Sequence, residues 1–110
     1  MNKGLKLLIL FLSLCLFTAA ALLGAGGSET KGKYYFKKTC KTCHKKGGEG
    51  NEVTPLTKTT AQWKAYFEAG KHAAGKAQLT SVMDEAKLLH VSTYLQAHAS
   101  DSPQPETCGE

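Results

Sequence analysis

The sequence predicts a small all-α domain of about three to four helices, and three observations carry that expectation. Stretches with apolar residues at helical spacing are bounded by capping hydroxyl residues and glycine. The segment 45–51, Lys-Lys-Gly-Gly-Glu-Gly-Asn, has neither helical nor strand periodicity and reads as a loop. The chain has 110 residues, and removing its apolar beginning leaves roughly 85, too few for a generous core. A domain of that size usually needs a staple, and Cys40-Lys41-Thr42-Cys43-His44 offers one.

Residues 1–27 read as a secretory signal peptide. Lys3 and Lys6 make a positive start, residues 5–17 are almost wholly apolar, and Ala19-Ala20-Ala21 supplies small residues. An apolar run of about 13 residues is short of the roughly 20 needed to span a bilayer. The small-x-small rule puts cleavage after Ala21 or after Gly27; an uncleaved membrane anchor, with the apolar region stretched to Leu23, is the alternative. Leu14 stands before Cys15 where a lipoprotein signal would carry a small residue. The expectation is therefore a periplasmic or otherwise exported protein, with a domain over residues 28–99 and a polar tail over 100–110.

Of fourteen basic residues all are lysine, and with Lys3 and Lys6 removed twelve face nine acids, a net charge of about +3. Arginine's planar fork is the usual reader of phosphates and base edges, so its absence argues against nucleic acid. A lysine-only patch suits weak, fast docking on an acidic protein.

Residues 28–33 form a polar lead-in and 33–38 a short first helix, with Tyr34, Tyr35 and Phe36 clustered, that delivers the two cysteines. Two cysteines three positions apart with histidine directly after is the spacing of covalent haem attachment: each thiol forms a thioether to a vinyl group, and the imidazole lies beneath the iron. Beyond this motif the chain resembles class I cytochromes c over about residues 30–98. Gly32 stands four residues before Phe36, which stands four before Cys40, and Tyr94-Leu95 occupies the aromatic-Leu position of the last helix. The resemblance implies a cytochrome c-like fold around one haem c. In it Gly32 lets the last helix cross close against the first. It also implies that Pro55 offers its carbonyl to the outer N–H of His44, a bond that raises ligand basicity, and that Leu56 packs on the haem face.

Thr59 and Thr60 are helix caps before 61–69, which Gly70 ends. Trp63, Tyr66 and Phe67 share one face of that helix, as plain core residues commonly do. The Trp63 indole needs an acceptor if buried, and a haem propionate and a backbone carbonyl both qualify. A small-residue loop over 71–78 carries His72. Thr80 or Ser81 then caps a final helix through about His98, with Leu88, Val91 and Leu95 along one strip. Pro103 and Pro105 make the tail extended.

Two residues compete for the sixth iron position. The family resemblance nominates Met83, the one methionine beyond the leader, but only ten residues separate it from Tyr94 and it runs straight into the helix-forming 84–87. There it can pack as a flexible gap-filler. His72 follows the Gly70 stop, in the segment that should cross the open haem face, and is favoured. Paired histidines hold iron at lower potential than histidine with methionine. His90 and His98 read as surface or core residues. Cys108 is left without a partner once Cys40 and Cys43 hold haem, so it is a neutral thiol or an intermolecular disulfide partner. Lys31, Lys33, Lys37, Lys38, Lys41, Lys45 and Lys46 crowd the attachment site and would form a docking ring at the haem edge for redox proteins. The expected activity is single-electron transfer by a non-enzyme. Its alternatives are a haem enzyme or small-gas sensor with a displaceable sixth ligand, and, without haem, a thiol-disulfide oxidoreductase or half a zinc site. The last two lack the βαβ setting and the paired ligand spacing they would need.

Overall fold

The computed structural model describes residues 26–107. Of the signal segment expected over 1–27, residues 1–25, with Cys15 and the Ala21 cleavage position, lie outside the described residues, as does Cys108. Three α-helices make the fold: α1 (Glu29–Lys38), α2 (Thr60–Ala69) and α3 (Glu85–Ala97). Short 3-10 turns at Cys40–Thr42, Pro55–Thr57 and Leu79–Ser81 join them. Two-residue strands β1 (Lys71–His72) and β2 (Ala77–Gln78) pair antiparallel, Lys71 opposite Gln78 and His72 opposite Ala77. The all-α expectation holds, with this small hairpin added.

Each helix starts at a capping side chain. Ser28 accepts from the Lys31 amide, so α1 begins within the expected lead-in and gains a full turn. Thr59 and Gln62 form a reciprocal capping box on α2, and Gly70, left-handed at φ 66°, closes it. The cap of α3 is Asp84 and neither Thr80 nor Ser81, because the latter two fall in the 3-10 turn. Met83 consequently lies just before the helix.

The core forms where α1 crosses α3. A Cβ on Gly32 would run into the His90 carbonyl and the Tyr94 Cβ, so only glycine permits this approach. One turn on, the Phe36 and Tyr94 rings meet with centroids 5.8 Å apart, both almost wholly buried. Burying each ring contributes about 2 kcal/mol. Trp63, Met83, Val91, Leu95 and Ala99 complete the cluster, and Tyr66, Phe67 and Leu88 pack on its edge. The residues just before α1 also join this layer, since the Gly27 amide donates to Thr93 Oγ1 and that of Ser28 to His90 Nδ1.

The tail is polar but bonded to the domain, where an extended segment was expected. Ser100 N donates to Lys58 O, and the Asp101 carboxylate accepts from both the amide and the hydroxyl of Thr60. Further along, Glu106 N donates to His98 O while its carboxylate takes the Tyr94 hydroxyl. His98 is drawn between Gln104 O and the Glu29 carboxylate, 3.0 Å from its Nε2. Among the described residues, no helix is long and apolar enough to cross a membrane.

Candidate functional site

The last turn of α1 ends at Thr39, and the 3-10 turn that follows carries Cys40 and, at its end, Cys43. Both are free thiols, Cys40 half-buried against the core cluster and Cys43 exposed. Burial pushes the Cys40 thiol up from its ordinary value. His44 N donates to Cys40 O, which tightens the turn and fixes where the imidazole leaves the backbone.

The glycine-rich loop then returns over His44. The carbonyl of Gly50 lies 2.8 Å from His44 Nδ1 and that of Asn51 lies 3.2 Å away. A Cβ on Gly50 would stand 2.6 Å from Nδ1, so the loop can close on the ring only without a side chain there. The expected acceptor, Pro55, is elsewhere engaged: its carbonyl takes the Trp63 indole N–H at 2.8 Å. At His44 Nδ1 the backbone path puts the Gly50 and Asn51 carbonyls where that of Pro55 was expected. Trp63, almost wholly buried, gives its donor to a backbone carbonyl, one of the two acceptors the sequence allowed.

Opposite His44 stands His72 on β1, ring centroids 5.9 Å apart and planes 79° apart. Tyr66 Oη lies 2.9 Å from His72 Nδ1. On both rings Nδ1 is thus occupied and Nε2 is the nitrogen left for other chemistry. Burial, with a smaller effect from nearby Cys40, pushes the Tyr66 phenol up from its usual value and keeps it neutral. Tyr66 had no role in the sequence beyond core packing. The available signal was its position one turn before a left-handed helix stop, where the returning chain passes beside the last turn.

Met83 is placed within the apolar cluster with Phe36, Trp63 and Val91. Leu56 is 42% exposed and lines an open depression with Phe36, Pro55, Tyr94, Lys37 and Lys41. His90 and His98 serve the fold, the first accepting from Ser28 and the second pairing with Glu29. Lys31, Lys37, Lys38, Lys45 and Lys46 are exposed around the attachment turn. No group of three or more His, Cys, Asp or Glu among the described residues is arranged to hold a bare metal ion.

A family model described as cytochrome C oxidase, cbb3-type, subunit III matches residues 27–95, more than half of the chain. No curated protein and no solved structure matches it significantly.

Proposed function

The chain belongs to that family, as a small c-type cytochrome domain whose cofactor is covalently attached haem c, and from this premise we propose that it is an exported electron carrier with His44 and His72 as the axial pair. Cys40 and Cys43 would hold the haem through thioethers. When bound, the haem supplies one-electron Fe(III)/Fe(II) cycling. The chain's own residues would orient it: Gly50 and Asn51 hold the His44 ring by Nδ1, Tyr66 holds that of His72, and Trp63, Phe36 and Leu95 belong to the apolar cluster against which Cys40 packs.

The observation that carries the axial assignment is the distance between the two rings. Imidazoles bound through nitrogen at about 2 Å on opposite sides of one metal ion have centroids about 6 Å apart. The 5.9 Å separation of His44 and His72 fits that span. Two ligands that need not leave suit electron transfer, since neither redox state then requires rearrangement. The apolar leader supports export, and the exposed lysines beside Cys40 and Cys43 support docking on an acidic redox protein, with steering that salt weakens.

Visible and electron paramagnetic resonance spectra of the periplasmically produced protein test the reading. We expect covalent haem and a low-spin, two-histidine signature; His72→Ala should turn the ferric form high-spin, while Met83→Leu leaves it low-spin. A low-spin His72→Ala with an unchanged spectrum would transfer the assignment to Met83.

A further inference from the structure

Among the described residues, the His72 ring makes one hydrogen bond, to Tyr66. Tyr66 lies on the last turn of α2 and His72 on β1; the left-handed Gly70 between them turns the chain so that phenol and imidazole meet at 2.9 Å. An imidazole bound to a metal through Nε2 keeps its proton on Nδ1, so the Tyr66 oxygen would be the acceptor of this bond. His44 meets two acceptors at its own Nδ1, the carbonyls of Gly50 and Asn51. A carbonyl oxygen accepts more strongly than a neutral phenol, whose lone pair is shared with its ring. The two imidazoles therefore have unequal support.

Resting on the His44–His72 reading, we propose that Tyr66 is a positioning residue: it fixes the tautomer and orientation of His72, and its weak, single acceptor makes His72 the axial group that yields to an incoming small ligand. The Tyr66 ring has its own supports, meeting Trp63 at 6.0 Å and Phe67 at 5.3 Å between centroids. Losing the hydroxyl alone leaves the side chain seated. His44, under the Gly50 backbone and covalently continuous with Cys43, stays.

Tyr66→Phe, His72→Ala and the double variant, each as the haem-loaded full chain, test this by spectroscopic titration of the ferric form with imidazole. Tyr66→Phe should keep a low-spin resting spectrum and bind imidazole about tenfold more tightly than the wild type, the usual scale for losing an outer partner of a metal-bound histidine. In the His72→Ala background the same change should leave imidazole affinity unaltered, because the bond it removes is already gone. Equal affinity in wild type and Tyr66→Phe, with His72→Ala opening the site, would overturn the role of Tyr66 and leave the axial pair standing. An equal gain in both backgrounds would overturn it too, marking general loosening. If His72→Ala remains low-spin with an unaltered spectrum, the axial pair itself falls, and the role of Tyr66 with it.

Discussion

The α1–α3 crossing and the α2 layer, with its hairpin, are held together by different physics. The crossing is a matter of shape. Gly32 removes a side chain so that two backbones touch, and Phe36, Tyr94, Val91 and Leu95 fill what remains. The α2 layer depends on directional bonds between unlike groups: the Thr59–Gln62 capping box, Trp63 to Pro55, Tyr66 with His72, and Asp101 onto Thr60. Shape is unforgiving of added atoms, whereas a directional bond can be lost singly. The layer that carries the proposed distal ligand is thereby the one that can change locally while the crossing stays closed.

Breaking the crossing should have the largest effect. Gly32→Val drives a branched side chain into the His90 carbonyl and the Tyr94 Cβ. We expect a loss of about 3 kcal/mol or more, read as a fall of roughly 12 °C or more in the melting temperature. A melting temperature within about 4 °C of wild type would show that the crossing is not the close-packed joint described.

Trp63→Phe should cost less, because it keeps an aromatic ring in the cluster while losing part of the indole's volume and its donor to the buried Pro55 carbonyl. Urea unfolding should register about 1–3 kcal/mol. A neutral result would mean that water satisfies that carbonyl as well as the indole does.

The smallest effect is one that acid removes. The amide and hydroxyl of Thr60 hold the Asp101 carboxyl below its usual range. A lowered folded value contributes stability that is present above the unfolded carboxyl pKa of about 3.9 and lost as pH falls through the folded value. The urea midpoints of wild type and Asp101→Asn should therefore differ above pH 5 and converge on acidification, as Asp101 protonates. A constant gap down to about pH 2 would detach the tail from this linkage.

Much of the crossing was legible because the family resemblance rests on residues that make it. The spacing of Gly32, Phe36 and Cys40, and the pair Tyr94-Leu95, carry that resemblance, and it implies that the last helix crosses the first at Gly32. Caps were readable at Thr59 and Gly70, but α3 started at Asp84 because the 3-10 turn absorbed Thr80 and Ser81. The α2 layer was less legible. Pro55 is eleven residues from His44 and eight from Trp63, and nothing in either spacing says which donor its carbonyl will meet.

The sequence by itself determined the helices and the turn carrying Cys40, Cys43 and His44, because capping, periodicity and close spacing act within a few residues; the glycine on which two helices cross was implied by the family resemblance. Tertiary structure decided the partners: Gly50 and Asn51 at His44, Pro55 at Trp63, Tyr66 at His72, and the tail on α2 and α3. A hydrogen bond needs its two atoms about 3 Å apart and aligned. For groups on different segments, only the whole path of the chain sets that distance.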